Sequence, residues 1–447
     1  MQRLLIISLF VSLSVALNSQ GIKKNLGIEE IVREFYGHYD LSDYDYPFAA
    51  FEKKKEGWYV AIQEVDKNKL VVSKRVLFYS NKTRKYIPLP IKRNSEIKKI
   101  KVSEFLDDFT IRGYNLQLYY GYKGWYKDVV KELSGKDKLT DNQLNSLGRA
   151  YSTWAGGLIS DQYGDTPESE IWQLPFSENC LNKSQIDSFN TIVKKGQDCF
   201  RNLSLRSPTY QTPVGEISMK YANEVMYQVR ILDAYAMDYA KSMKIPENLY
   251  NDKQLKRAED ILRSCPVNSI FVSVGDNDFY PLHYLQVVKR FRRDVYVINY
   301  NLMGIDRYIH RSSLGIYEAE PVRFSASKAL FQGNNNDLVY VKDSLRQISV
   351  SGLINILSER ESKDENGRST LFCDSIRIGG KMNSVGNLKT LSLVKAKYLF
   401  KNQWVLLDIL DNLNGREICF GYSFVDELED LNRFLKSKDN IWIFANN

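Results

Sequence analysis

The sequence predicts a multidomain α+β protein: a small antiparallel β domain, a helical-hairpin domain, and then an α/β domain with a mostly parallel sheet. Residues 22–115 show the alternation of apolar and polar residues that is typical of strands. Residues 116–248 carry apolar residues at helical spacing, and residues 251–447 alternate apolar runs with amphipathic stretches. A chain of 447 residues is also too long for one hydrophobic core.

The first residues have the layout of a secretory signal peptide. Arg3 precedes an apolar run from Leu4 to Leu17, and small polar residues follow. Because this run is short for a membrane span, we predict cleavage after Ser19, with an uncleaved anchor as the alternative. The prediction is a signal peptide at residues 1–19 and an exported mature chain, periplasmic or at the cell surface, with no transmembrane segment.

The charge and cysteine content exclude several classes of protein. The 62 basic and 54 acidic residues are mixed along the chain, which together with export argues against a nucleic-acid partner. Five cysteines are too few and too scattered for a disulfide-built scaffold. Cys180 and Cys199 flank a loop-rich stretch and could pair in an oxidising compartment, and the sequence leaves that pairing open.

The β domain rests on two runs with strand periodicity. "GWYVAIQEV" and "KLVVSKRVLFYS" alternate, and "VDKNK" and "SNKTRK" have the composition of turns. The stretch "GIEEIVREFY" before them predicts an amphipathic helix.

The helical domain is predicted from two long stretches. "TDNQLNSLGRAYSTWAGG" forms one apolar stripe, with Thr140 or Asp141 as its N-cap. "LGRAY" resembles the first helix of a tetratricopeptide (TPR) unit, so the domain is interpreted as degenerate and TPR-like. A second long helix is predicted from "EISMKYANEV" to Pro246. The segment 169–213 between the two is predicted to be irregular.

The α/β domain is predicted from a strand–helix–strand pattern. "SIFVSV" is a continuous apolar run of the kind found in buried parallel strands. Pro281 suits the first turn of the following helix, and "DVYVINYNL" is the second strand, so the spacing predicts a βαβ unit. Further on, "NQWVLLDIL" predicts a helix, Asn414-Gly415 a turn and "EICFGYSF" a strand. Residues 358–369 are predicted to be a charged loop.

The first of these strands ends at an acidic loop, which is the candidate ligand-binding site. Ligands of open α/β sheets bind beyond the carboxyl ends of strands. Two carboxylates and an amide oxygen suit Mg²⁺, Mn²⁺ or Ca²⁺, so a divalent cation at Asp276 and Asp278 is the candidate cofactor. Asp306 and His310 share a helix face and could line the same crevice. The full set of candidate ligand-binding residues is Gly275, Asp276, Asn277, Asp278, His283, Asp306 and His310.

The same residues have a purely structural interpretation. Asp and Asn at a helix N-terminus satisfy free N–H groups and complement the helix dipole, and Gly275 permits a left-handed turn. His283 would then be a packing residue. The sequence favours this interpretation, and no residue is assigned to catalysis.

The stretch "SCPVNSIFVSVGDNDFYPLHYLQVVKRFRRDVYVINYNLMGIDRYI" and the later "LFKNQWVLLDILDNLNGREICFGYS" resemble two blocks of a known family. They are similar to the soluble C-terminal region of the domain-of-unknown-function 2723 (DUF2723) family of Bacteroidetes membrane proteins, over residues 251–425. The membrane half of that family resembles protein O-mannosyltransferases, and this chain has no such half. The resemblance therefore implies a shared envelope-facing α/β module, without the transferase activity.

These observations predict an exported, soluble envelope protein of Bacteroidetes type. It would act as a non-catalytic binding or scaffold module associated with glycan or glycoprotein handling, with an envelope protein or a glycan as its partner. The alternative is a divalent-cation-dependent enzyme acting on glycans or phosphoesters, with Asp276 and Asp278 holding the cation and His310 as acid or base.

Overall fold

The computed structural model describes most of the chain in ten stretches. The predicted signal peptide, the predicted turn after Val65 and most of the charged loop 358–369 lie outside the described residues. The described ranges are 26–44, 48–65, 71–160, 164–332, 336–342, 344–359, 369–379, 389–393, 397–424 and 429–444.

The chain divides into two compact units. The first comprises the described residues of Met1–Thr153 and Gly164–Pro167, and the second those of Trp154–Tyr163 and Glu168–Asn447.

A four-stranded antiparallel sheet forms the centre of the first unit. β2 (Gly57–Val65) pairs with β1 (Ala49–Lys53) and with β3 (Val71–Ser80), and β4 (Lys85–Tyr86) completes the order β1-β2-β3-β4. Both predicted strands are confirmed. The turn at "SNKTRK" is also present, and Arg84 takes a φ of 56° there.

Helices flank this sheet in the sequence. α1 (Ile28–His38) confirms the predicted amphipathic helix and buries its apolar face in the same core as the sheet. α2 (Asp108–Leu116), α3 (Trp125–Leu133) and α4 (Asp141–Ile159) follow. Thr140 is the cap of α4, because its hydroxyl accepts from the Gln143 N–H while the Gln143 side chain accepts from the Thr140 N–H.

The prediction that residues 169–213 are irregular is wrong over much of that segment, because a 24-residue helix, α5 (Lys183–Arg206), lies within it. Asn182 starts the helix with a capping box. The helix is polar overall, but its buried residues recur every three or four positions and form one stripe. They include Phe189, Val193, Gly196, Phe200 and Leu203.

The second long helix is present but shorter than predicted. A small hairpin of β5 (Gln211–Thr212) and β6 (Gly215–Glu216) leads into α6 (Ile217–Tyr235). Ala236, with φ −149° and ψ 59°, breaks the helix, and the short α7 (Met237–Ala240) follows.

The predicted βαβ unit is confirmed. α8 (Asp252–Ser264) precedes β7 (Ile270–Ser273), which pairs in parallel with β8 (Tyr296–Asn299) across α9 (Asp276–Val288). All residues of both strands are buried. α9 begins within the acidic loop, so Pro281 lies in its second turn instead of the predicted first turn.

β7 is an interior strand of a five-stranded sheet with the order β16-β17-β15-β7-β8. The strand predicted after Asn414-Gly415 is β15 (Ile418–Phe420), which pairs in parallel with β7. β17 (Ile441–Phe444) and β16 (Leu435–Lys438) add two antiparallel strands. The sheet is therefore mixed: β15, β7 and β8 are parallel to one another, and β8 is an edge strand.

The region between β8 and β15 contains short helices and two three-stranded sheets, ordered β10-β12-β13 and β11-β9-β14. The helices are α10 (Asp306–Ser312), α11 (Lys328–Phe331), α12 (Val350–Ser358) and α13 (Lys401–Asp411). The strands are β9 (Leu338–Lys342), β10 (Gln347–Ser349), β11 (Thr370–Phe372), β12 (Ser375–Ile378), β13 (Lys389–Ser392) and β14 (Tyr398–Phe400).

A buried carboxylate on α13 anchors the chain before α11. Asp408 is fully buried and accepts hydrogen bonds from the backbone N–H groups of Ser325 and Ala326 at 3.0–3.1 Å. It also accepts from the Asn412 side chain at 2.8 Å. These donors compensate for the removal of a charged group from water.

The chain is thus a mixed α+β protein with several sheets, the largest of which contains three parallel strands and two antiparallel ones. Within its described part, no helix combines the length and apolar character that a membrane crossing requires. All five cysteines are buried free thiols, so Cys180 and Cys199 are not bridged in this structure.

Candidate functional site

The acidic loop forms the first turn of α9. Gly275 precedes the helix with φ 77° and ψ 162°, a backbone conformation that favours glycine, and its N–H donates to Asn301 Oδ1 at 2.8 Å. Asp276 and Asp278 both lie in the first turn, where their charges complement the helix dipole. Burial, followed by the negative charge of Asp276, raises the pKa of Tyr250 well above its usual range.

Asn277 is used for a structural contact. Its Oδ1 accepts from Asn223 Nδ2 at 2.7 Å, and its Nδ2 donates to the Val214 carbonyl at 2.7 Å. Asn223 is in turn held by the Tyr250 hydroxyl at 2.9 Å. The amide therefore ties the start of α9 to α6 and to the β5–β6 hairpin.

Asp278 bridges two other segments. Its Oδ1 accepts from Arg257 of α8 at 3.0 Å, and its Oδ2 accepts from the hydroxyl of Ser423, after β15, at 2.8 Å. Both carboxylate oxygens thus already have protein partners.

His283 lies in the core, with none of its surface exposed. Its ring contacts the ring of Phe279 edge-on, at 4.4 Å between centroids. Burial, followed by the nearby positive charge of Arg230, lowers the pKa of His283 well below its usual range, so the imidazole is neutral.

Asp306 and His310 lie on α10, as predicted, but the hydrogen bonds described for them are with Arg307 and Glu178. His310 Nε2 is 3.0 Å from Glu178 Oε1, and its ring lies 5.1 Å from that of Phe176. Asp306 accepts from the Arg307 N–H at 2.8 Å. The loop residues and the α10 residues are thus engaged by different neighbours.

Asp278 borders a cavity of about 420 Å³. β7 and β15 run parallel, so their carboxyl ends lie at the same edge of the sheet, and the cavity opens beside that edge. Phe271 of β7 and Ile261 of α8 are apolar, buried lining residues. The other side chains that line it include Lys253, Lys256, Arg257, Asp260, Tyr422 and Asn440.

The rim of the cavity combines charge with an exposed ring. Lys256 pairs with Asp260 and Arg257 with Asp278, whereas the described residues show no ion pair for Lys253. The Tyr422 side chain is 47% exposed and packs edge-on against Trp442 at 5.6 Å. The cavity therefore offers positively and negatively charged hydrogen-bonding groups beside the exposed ring of Tyr422.

Sequence reasoning missed Arg257, Lys253 and Tyr422. The basic residues of "NDKQLKRAED" recur at helical spacing, which marks one face of α8. Tyr422 follows an apolar strand, as Asp278 does. Either pattern could have indicated the site once β15 was paired with β7.

The described residues contain no group of three or more His, Cys, Asp or Glu side chains placed to hold a metal ion. A cation at Asp276 and Asp278 stays a prediction from the sequence.

Comparison with known families gives one finding. The model of a family described as TMEM260-associated domain 2 matches residues 255–375, from α8 to the start of β12. This corrects the predicted resemblance to the DUF2723 family, for which no match exists. The first of the two blocks that suggested it consists of a turn, a buried strand, an acidic helix start and a second strand, and a capped βαβ unit of another family can share these features. No curated protein and no solved structure matches the chain.

Proposed function

We propose that this chain is an exported protein of the cell envelope, periplasmic or at the cell surface, that acts by binding rather than by catalysis. Its ligand would occupy the cavity bordered by Asp278, in a role associated with glycan or glycoprotein handling. The observation that carries the proposal is the composition of that cavity. An apolar base, a few hydrogen-bonding side chains and an aromatic ring are the groups that orient a sugar.

The contacts of the carboxylates support binding over catalysis. A cation-dependent enzyme of the kind predicted as the alternative would need Asp276, Asp278 and His310 at one ligand. Asp278 is instead held by Arg257 and Ser423, while His310 is held by Glu178.

A finer division of the chain is part of the same proposal. It assigns residues 22–115 to a β-rich domain, 116–248 to a helical, TPR-like domain that engages a protein partner, and 251–447 to the α/β domain that carries the cavity. α4, α5 and α6 support the helical assignment of the middle segment.

Calorimetric titration of the purified mature protein tests the proposal. The probes are N-acetylglucosamine, mannose and glucuronic acid, and binding of at least one is expected. Tyr422→Ala and Arg257→Ala should each weaken that binding about tenfold, since each removes one of the few orienting groups. Arg263→Ala is the matched control. Arg263 lies on α8, as Arg257 does, and also pairs with a carboxylate, that of Glu259, but it does not line the cavity.

Two results would contradict the proposal. The first is binding of none of the three sugars, or binding that both cavity variants leave unchanged. The second is turnover of an envelope glycan or a sugar nucleotide by the purified protein, which would favour an enzyme.

A further inference from the structure

The three-stranded sheet β11-β9-β14 has two chemically different faces. The residues that point into the core are aliphatic: Val339, Leu371 and Leu399 are each at most 1% exposed. The residues that alternate with them are mostly aromatic and reach solvent. Phe372 is 51% exposed, and Phe400 is 52% exposed.

The strand register gathers these rings into one patch. Tyr398 pairs with Tyr340, and their rings lie 5.3 Å apart at 71°. Phe400 pairs with Leu338 in one direction along β9, and Phe372 lies beside Lys342 in the other. From the ordinary strand rise and spacing, the patch spans roughly 16 Å from Phe400 to Phe372. We call Tyr340, Phe372, Tyr398 and Phe400 the aromatic face.

The polar groups within this face narrow the choice of ligand. The outward residues of the three strands also include Leu338, Thr370 and Lys342, and no carboxylate occurs among them. Lys342 Nζ lies 5.6 Å from the centre of the Phe372 ring. The face therefore presents four aromatic rings and one leucine side chain, together with hydroxyl groups and one ammonium group.

A pyranose ring matches this surface. One side of it carries C–H groups that stack on an aromatic ring, while its edge carries hydroxyls that hydrogen-bond to Tyr, Thr and Lys. The diagonal strip is also long enough for several sugar rings in a row.

We propose that the aromatic face is a second binding surface, which holds an extended glycan chain by stacking. The choice of ligand class rests on the proposed function, whereas the surface itself is built from residues that do not line the cavity at Asp278. A single sugar in the cavity and a chain on the aromatic face would be recognised separately.

Affinity electrophoresis of the mature protein tests the proposal. The gels contain hydroxyethylcellulose, glucomannan or soluble peptidoglycan strands, three β-1,4-linked chains, and retardation by at least one is expected. Phe372→Ala and Phe400→Ala should each raise the dissociation constant about tenfold, and the double variant about a hundredfold. Because both side chains are exposed, the melting temperature of each variant should match that of the unsubstituted protein.

Two controls separate this surface from other sites. Phe109→Ala removes a ring that is 50% exposed on α2 and should leave retardation unchanged. Tyr422→Ala should weaken sugar binding in the cavity but not retardation by the chain. The failure of one proposal is thereby distinguished from the failure of the other.

Several outcomes would overturn the proposal. One is a lack of retardation in all three gels, and another is equal retardation of the original protein and the double variant. A self-association that sedimentation velocity detects and that the double variant abolishes would assign the face to a second copy of the chain. Flotation with anionic vesicles that is lost in the double variant would assign it to a lipid surface.

Discussion

The amino group of Lys53, on β1, makes the free energy of unfolding of the first unit vary with pH in the alkaline range. Its Nζ donates to the carbonyl oxygens of Tyr114 at 2.7 Å and Gln117 at 2.6 Å, and lies 5.8 Å from the ring centre of Trp58. Burial lowers the pKa of Lys53 from 10.5 to about 8. Folding therefore holds a lysine that loses its proton more easily than it does in the unfolded chain.

The sign of the effect follows from proton linkage. Between pH 8 and 10.5 the unfolded chain keeps the Lys53 proton while the folded protein releases it, so the free energy of unfolding rises with pH. The difference between the two pKa values corresponds to about 3 kcal/mol. This is an upper bound, because the two carbonyl acceptors favour the charged form.

Urea denaturation of the unsubstituted protein and Lys53→Met, from pH 7.5 to 10.5, measures this term. The stability of the unsubstituted protein relative to the variant should increase steadily across the range. Burial raises the pKa of Tyr86 and Tyr119 to about 12, so both tyrosines lower the free energy of unfolding above pH 10. This effect is the same in the unsubstituted protein and in Lys53→Met, so it cancels when the two free energies are subtracted. Lys82→Met, in the exposed turn after β3, controls for the loss of one positive charge. A difference that stays constant with pH would refute the reasoning.

Three further predictions concern the second unit. Asp408→Ala should lower the free energy of unfolding in urea by about 3–5 kcal/mol, because it leaves buried donors without an acceptor, and a loss below 1 kcal/mol would contradict that role. Millimolar Ca²⁺, Mg²⁺ or Mn²⁺ should leave the melting temperature unchanged, because the oxygens of Asp278 have protein partners. A rise that Asp276→Asn with Asp278→Asn removes would instead favour the cation-dependent enzyme. Burial raises the pKa of Cys199 to about 12 and of Cys373 to about 11, so maleimide at pH 7 should label them only after urea unfolding, and rapid native labelling would show that they are accessible.

The sequence predicted best where the signal was local and strong. The structure contains β7 and β8, each predicted from a continuous apolar run, and the turn before β15, predicted from an Asn-Gly dipeptide. Each of these signals lies within a few residues of the sequence. The helix α5 was missed because its mean polarity is high. Its stripe of apolar residues is visible only when residues three and four positions apart are compared along the segment.

The candidate site was predicted only in part, because tertiary contacts decide what each side chain does. A strand followed by Asp278 indicates the edge of a sheet, but not which residues face it. Arg257 and Ser423 come from segments on either side of it in sequence: the packing of α8 against α9 places Arg257 beside Asp278, and the pairing of β15 with β7 places Ser423 there. Likewise, no feature of the sequence near Asn277 predicts that the Asn223 side chain donates a hydrogen bond to the Asn277 amide oxygen.

The position of β15 limits how the chain can be dissected. The family match ends at residue 375, whereas the strand that covers one side of β7 begins at Ile418. A recombinant fragment of residues 255–375 would leave the backbone of β7 unpaired along that side. An unpaired strand edge of this kind promotes aggregation. The segment that the family model matches is therefore shorter than the segment that completes this sheet, so a fragment designed for expression should extend through β15, β16 and β17.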